Sequence, residues 1–451
     1  MTLIHRRIIY LIFIIIFLLI LPVVILHASG YRYNFKKNIL QKTGIIFLES
    51  KPKDVEISLN QKPIGHKTPL RIKNLLPNEY EIELSKPGFY PWQKKITVYE
   101  SQTTFLQYVR LFRQKTLPQL LLEGDILKIA ENNGRDKLIL VRAADGLPNK
   151  KYELILYDLN SHKQIDTFYA QQPIEHIKFV DNGQRIALNI ANDLWLVDSN
   201  DFENIIKLRQ KIVPKNADNI KLDKYNSNNI YYLKNSKLVR YNSVNKENLS
   251  FPFLMTDYFI ADNYIYFLSN DSLNKTFLKK INILNTSSAE TIATFNRLSG
   301  NNNYKIIDVG EQSVVMGYQN NLILYNITTG QKKLVKDADY FRWNNDQTQL
   351  IYIHQNELWL YRPAENNQFI LLTRSGEKIS QAGWYMPETH IYYSIGDKIK
   401  ITENLENNRQ TVDLISLATN VKNILLNKKA DKIYFVAEIG EQQGLYEMQV
   451  Q

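Results

Sequence analysis

The sequence predicts a chain that is all-β apart from one N-terminal transmembrane helix, in which a small β-sandwich is followed by an eight-bladed β-propeller, with seven blades as the alternative. Three observations predict it. From Ile8 to Leu26 no residue is charged, a span of 19 that suffices to cross a bilayer core as a helix. Over about 70 residues beyond it, short alternating apolar and polar stretches are divided by proline- and glycine-containing turns, the pattern of brief half-buried strands. In the remainder, a strand ending in an aromatic or aliphatic pair recurs every 36 to 45 residues, the repeat length of a propeller blade.

A length of 451 residues exceeds one ordinary domain. Hydrophobic residues at 44% and charged residues at 22% are those of a folded protein, and 28 Tyr with 19 Phe favour sheet. The expected organisation is a cytoplasmic stub, transmembrane signal anchor and juxtamembrane segment over 1–37, a sandwich over 38–113 and the propeller over 114–451.

The leader runs "HRRIIYLIFIIIFLLILPVVILHASGYRY" from His5. A cleaved export signal has an apolar region of about 7–15 residues and small residues before the cut. Here the apolar span is longer, and the best end, "LHA", puts Leu26 at the −3 position. The expectation is an uncleaved anchor, kinked at Pro22, with Tyr31, Tyr33 and Phe35 as an aromatic belt. Orientation has two readings. Arg32, Lys36, Lys37 and Lys42 outnumber Arg6 and Arg7, which by charge counting keeps the C-terminal part inside. The layout of basic head, apolar core and large remainder is that of an exported protein. The reading adopted places the C-terminal domains outside the cell membrane; the other gives a cytoplasmic sensing role.

In the sandwich, "GIIFLES" (Gly44–Ser50), "VEISLN" (Val55–Asn60), "YEIELSK" (Tyr80–Lys86) and "KKITVYE" (Lys94–Glu100) read as strands. Between them "NQKPIGHKTPL", "LLPNEY" and "KPGFYPW" carry turn chemistry, so four to six short strands are expected. The punctuation resembles the PEGA domain, a small surface β-domain of prokaryotic proteins. Ser50, Pro52, Gly65, Thr68, Pro69, Leu75, Pro77, Tyr80, Lys86, Gly88, Phe89 and Trp92 stand at the corresponding places. The motif tetrapeptide reads Pro52-Lys53-Asp54-Val55, and Asn78 replaces a turn glycine, a mild change because Asn tolerates left-handed geometry. Thr68 is expected to close a loop and Trp92 to fill the core.

In the long region the recurring strands are marked by Tyr157, Val197, Tyr241, Ile281, Tyr325, Tyr361, Ile401 and Tyr446. Upstream, Phe179, Trp343, Trp384 and Leu426 precede Ile186, Leu350, Ile391 and Ile433 by seven residues across polar turns, which reads as a hairpin. The arrangement resembles WD-like and Tol-type propeller repeats over roughly 120–451, without the Gly-His dipeptide of true WD repeats. The last unit stops after its third strand, and "TLPQLLLEG" (Thr116–Gly124) is placed to supply the fourth, closing the ring's open edge. Trp195, Trp343, Trp359 and Trp384 are expected between blades.

Chemistry is sparse. There is no cysteine, which removes disulfides, thiolate metal sites and a Cys nucleophile. The seven histidines, at 5, 27, 66, 162, 176, 354 and 390, lack metal-ligand spacing. No Gly-x-Ser-x-Gly elbow, phosphate loop or His-Glu-x-x-His occurs, and "DSNDFEN" and "NNDQTQ" read as hairpin turns rather than calcium loops. Net charge is +11 with no run of four Lys/Arg and no basic-aromatic nucleic-acid motif; Lys, Asn, Ile and Tyr are abundant together, so this charge reads first as compositional bias. The expectation is a non-enzymatic platform with no catalytic residue, metal or cofactor. Its partners are the bilayer, through the helix, and a protein or cell-wall glycan at the propeller face, with no nucleic acid and no stated oligomeric state. The alternative is a propeller hydrolase of envelope glycans or peptides.

Overall fold

The computed structural model describes residues 3–35, 37–144, 151–191, 193–223, 226–296, 304–385, 388–406, 408–416 and 418–451. They form two compact units. One holds Met1–Thr116 with Asn407–Leu414 and Val450–Gln451; the other holds Leu117–Glu406 with Ile415–Gln449.

The first unit begins with helix α1 (Leu3–Ala28), which includes Pro22. The most apolar 18-residue window within Arg6–Ala28 has a mean hydropathy of 3.5, and none of that window is buried. By length and composition it can cross a membrane; an export signal near an N-terminus meets the same test. A hairpin follows, β1 (Tyr31–Asn34) against β2 (Ile39–Lys42).

Seven strands then make two sheets. Strands β3 (Gly44–Lys51), β6 (Leu70–Leu75) and β9 (Thr103–Arg110) form the first, with β3 central and β9 parallel to it. Strands β4 (Glu56–Leu59), β5 (Lys62–Lys67), β7 (Asn78–Ser85) and β8 (Trp92–Val98) form the second, in the order β5-β4-β7-β8. Burial alternates strictly along β3, so Ile46 and Leu48 face inward with Val55, Ile57, Ile82, Leu84 and Trp92. The expected four strands are present within a residue or two. Seven strands exceed the expected four to six: β5 occupies a stretch read as turn chemistry, β6 falls mainly between two such stretches, and β9 lies beyond the last strand expected. Pro63 has no N–H to give a ladder, so its segment reads as loop although it pairs at the sheet edge. Trp92, 4% exposed, fills the core as expected. Thr68 closes a loop: its hydroxyl lies 2.6 Å from Ser50 Oγ and accepts from Val55 N at 3.2 Å.

Over residues 119–449 the described residues form eight four-stranded antiparallel sheets. Sheets 1 to 7 occupy 126–170, 174–207, 218–254, 257–296, 305–335, 338–374 and 379–415 in turn, each a meander of consecutive strands. Sheet 8 takes three strands from 419–449 and its fourth from β10 (Gln119–Glu123), which pairs antiparallel with Gln442–Gln449. The stretch expected to close the ring does so. All eight marker residues, Tyr157 through Tyr446, lie in the third strand of their sheets. The upstream hairpins have the expected register, with Phe179 opposite Ile186, Trp343 opposite Leu350, Trp384 opposite Ile391 and Leu426 opposite Ile433. One turn of helix, Leu208–Lys211, stands between sheets 2 and 3.

Cohesion comes from the interfaces between successive sheets. Sheets 1 and 2 share Ile139, Val141, Leu188 and Val197, with Phe168 and Trp195 packed edge to face at 6.1 Å. Sheets 8 and 1 share Leu425, Tyr434 and Val436 with Leu138, Leu140 and Ile155, so the last sheet packs on the first. Each sheet covers both neighbours, and a ring of this kind is stable only as a whole. Trp343 and Trp359 pack between sheets 5 and 6, and Trp384 between 6 and 7, as expected.

A polar device recurs at the turn between first and second strands. Asn132 Oδ1 accepts from the backbone N–H groups of Asp136 and Lys137, Asn344 Oδ1 from those of Thr348 and Gln349, and Asn427 Oδ1 from those of Asp431 and Lys432. Arg135, Gln347 and Ala430 take positive φ at the same place in each turn. The asparagine supplies the acceptor these turning amides lack.

Candidate functional site

The first strands of four sheets surround a cavity of about 540 Å³. They are Ile174–Val180 in sheet 2, Asp218–Leu222 in sheet 3, Asp257–Ala261 in sheet 4 and Lys305–Val309 in sheet 5. Gln347 of sheet 6 also lines it. Residues from five sheets meet only where the ring's inner strands converge. Phe259, Ile260, Val180 and Leu222 give the lining an apolar part; Lys178, Lys221, Asp223, Asp262 and Asp308 give it charge of both signs, with His176 beside them. A few hundred Å³ with apolar walls and a handful of polar groups is the ordinary form of a ligand site.

The edge of this cavity is built around Asp257, 8% exposed. Its Oδ1 accepts from Asn219 Nδ2 at 2.6 Å and its Oδ2 from Ile306 N at 2.7 Å. One carboxylate therefore ties the first strands of sheets 3, 4 and 5. Lys221 Nζ stands 3.9 Å from Asp257 Oδ1, donates to the Tyr258 carbonyl and lies 4.7 Å from the Tyr258 ring centroid. Burial pulls the Lys221 ammonium below the ordinary lysine range, against the favourable pull of Asp257 and helped by repulsion from Lys305. The Tyr258 hydroxyl, pushed well up by burial, donates to Asn219 O at 2.5 Å.

A second polar group joins first strands further apart around the ring. Glu131 of sheet 1 meets Arg342 of sheet 6 at 3.7 Å and Arg135 at 4.0 Å. Arg342 Nη1 also donates to the Tyr392 hydroxyl at 3.3 Å, and that hydroxyl donates to Ile424 O at 2.8 Å. Sheets 1, 6, 7 and 8 are thus linked through one guanidinium. Burial raises the Glu131 carboxyl above the ordinary value of 4.5, outweighing Arg135 and Arg342. A carboxyl raised by folding holds its proton more tightly in the folded state. Its stabilising contribution is present below the ordinary value and is lost as pH rises through the raised one. Replacement Glu131→Gln is therefore expected to hold or raise the melting temperature at pH 7, with the gain shrinking as pH falls through the raised value and gone below the ordinary 4.5; a lower melting temperature at pH 7 would show that the ion pair outweighs burial.

A hollow of about 380 Å³ lies between sheets 5 and 6, beside Trp359 and Tyr352. These rings stack at 6.3 Å, Lys333 Nζ lies 5.4 Å from the Trp359 centroid, and Trp359 Nε1 donates to Glu357 at 2.8 Å. The indole is occupied with packing. No group of three or more His, Asp or Glu that could hold a metal occurs among the described residues. The histidines are dispersed: His176 lines the cavity, His162 pairs with Glu447 at 3.3 Å, and His390 sits beside Thr389 at 2.9 Å. No sequence signal pointed to the lining residues, which lie mostly on inner strands, with Ala187, Asn189 and Leu194 from the next two strands of sheet 2, at positions without a shared residue type.

A ring of four-stranded sheets preceded by a two-sheet sandwich is the class of protein these features define. Residues 43–111 match the PEGA domain family, covering the sandwich. No curated protein matches the chain. Among solved structures it is similar to a eukaryotic initiation factor, with TM-score 0.49, 10% identity, and coverage of 72% of this chain and 90% of that one. It is also similar to the C-terminal WD40 domain of Sif2, with TM-score 0.46, 11% identity, and coverage of 74% and 98%. A third is the Dos1 propeller, with TM-score 0.47, 11% identity, and coverage of 74% and 95%.

Proposed function

We propose that this protein is a non-enzymatic binding platform of a bacterial cell envelope, held by α1 as an uncleaved single-pass anchor with both β units outside the cell membrane. The observation that carries the reading is the central cavity, about 540 Å³ and lined from five sheets by both signs of charge around apolar residues. The charged pair at its edge supports binding over catalysis. Asp257 and Lys221 are spent on holding strands together, and Asp308 and Asp223 accept from backbone amides of Val309 and Asn226. The ligand class is a segment of protein or of wall glycan with charged groups, entering where inner strands converge.

The test uses the chain from Ser29 onward, which omits α1 and no buried residue. Immobilised on a support and exposed to separated protein and glycan fractions of an envelope extract, it is expected to retain one fraction unaltered. The double variant Lys178→Glu, Asp262→Lys, at exposed lining positions, should lose at least tenfold in retention, while Lys246→Glu on an outer turn should not. Release of shortened glycan or peptide would establish the hydrolase instead, and equal retention by all variants would remove the cavity from the account. For placement, protease added to intact cells should digest the ring; its survival would put it inside.

A further inference from the structure

We propose that the outer face of the β6-β3-β9 sheet is a docking surface for the anionic headgroups of the bilayer that α1 enters; the proposal rests on α1 remaining in the membrane. Three observations converge on it.

The first is where the charge lies. Residues 31–113 hold fifteen Lys and Arg against seven Asp and Glu, a net +8, whereas residues 114–451 hold 39 against 38. Compositional bias spread evenly by length would place about two of the eleven excess charges in the first segment. The two sheets of the sandwich also differ. Strands β3, β6 and β9 carry Lys51, Arg71, Lys73 and Arg110 against Glu49 alone. The other sheet is balanced, with Lys62, Lys67, Lys94 and Lys95 against Glu56, Glu79, Glu81 and Glu83.

The second is chemistry. Opposite the buried Ile46 and Leu48, the same sheet presents Phe47, with Phe105 edge to face at 6.0 Å and the Arg71 guanidinium at 5.3 Å from the Phe47 centroid. Phe105 is 60% exposed. Large apolar rings on an open sheet face call for a partner, and rings beside cations suit the headgroup layer, where aromatic belts lie and basic residues meet anionic lipid.

The third is position. Gly30, two residues beyond the end of α1, accepts through its carbonyl from Thr43 N at 2.9 Å and from Thr43 Oγ1 at 3.0 Å. Thr43 O accepts from Ser101 N at 3.2 Å, and Ile45 N donates to Gln102 O at 3.0 Å. The starts of β3 and β9 are thus pinned to the helix end. At about 3.3 Å per residue, Phe47 and Phe105 lie within roughly 15 Å of that tie, so the cations around them are within one or two Debye lengths of the lipid at physiological salt.

The chain from Ser29 onward is mixed with vesicles of phosphatidylcholine alone or with about one third phosphatidylglycerol, and the sedimenting fraction is measured. Because α1 is missing, failure of the anchoring reading leaves this test intact. The expected result is at least tenfold stronger sedimentation with phosphatidylglycerol, abolished by high salt and largely lost in Arg71→Glu, Lys73→Glu but retained in Lys62→Glu, Lys67→Glu. Equal loss in both double variants would reduce the effect to net charge and overturn the assigned face. Binding to a soluble wall polyanion with none to vesicles would overturn the lipid as occupant. In the full chain in lipid nanodiscs, where no native cysteine interferes, a nitroxide at Phe105→Cys should become shielded from water-soluble relaxation agents only when anionic lipid is present; full accessibility in both lipids would refute docking.

Discussion

Replacing Gly444 by alanine should loosen the ring at its seam. Gly444 lies in the third strand of sheet 8, opposite Glu123 of β10. A Cβ there would stand 2.2 Å from the Leu122 carbonyl oxygen and 2.7 Å from Leu120 Cδ1. The first neighbour is backbone and cannot rotate away. To clear it, β10 must retreat from the very strand it closes, breaking pairs such as Gly124 N to Gln443 O at 2.9 Å. Leu122 would withdraw with it from the core that joins sheets 8 and 1. Overpacking of this kind costs about 1–3 kcal/mol, more where backbone must move, and the loosened edge is the ring's own end. The expected result is a melting temperature lower by several degrees, with hydrogen exchange accelerated first in sheets 8 and 1. Gly376→Ala, where an added Cβ meets nothing within 4 Å, should melt with the parent. An unshifted Gly444→Ala would mean that β10 does not close the ring.

That seam was legible in the sequence for a simple reason. The last repeat stops one strand short, and an unassigned apolar stretch stands just before the first. Strand positions were legible too, because each sheet repeats a third strand marked by Tyr, Val or Ile, and in sheets 2, 6, 7 and 8 a hairpin's register follows from a seven-residue spacing. Within the sandwich the punctuation located β3, β4, β7 and β8. It hid β5, where Pro63 marks a break that the structure absorbs at an edge, and β9, whose parallel partner β3 lies far back in the chain. The cavity was not legible. Lys221 and Asp257 are separated by a whole repeat, Glu131 and Arg342 by five sheets, and no local pattern announces which inner-strand residues will meet. The charge was visible as a total; its concentration beside α1 becomes informative only once the strands are sorted into two sheets.

The other large effect is expected at Asp257. Its two oxygens satisfy a side-chain amide of sheet 3 and the backbone N–H of Ile306 in sheet 5, both within 2.7 Å. Asp257→Ala would leave that buried N–H without an acceptor and Lys221, already disfavoured by burial, without its counter-charge at 3.9 Å. Removing one partner of a largely buried charged group costs about 3–5 kcal/mol, and single hydrogen bonds to charge contribute about 1.5–3 kcal/mol. A loss of about 3 kcal/mol in denaturant unfolding is expected. Asp257→Asn keeps one acceptor oxygen, so it should fall between parent and alanine. Lys221→Met should cost less than Asp257→Ala, because burial already works against the ammonium it removes. In the Lys221→Met background Asp257→Ala should also cost less, since no stranded cation remains. A cost below about 1 kcal/mol for Asp257→Ala would show that sheets 3, 4 and 5 are held by apolar packing alone. The cavity they frame would then be free to change shape, and a rigid, preformed binding site at the ring's centre would lose its physical basis.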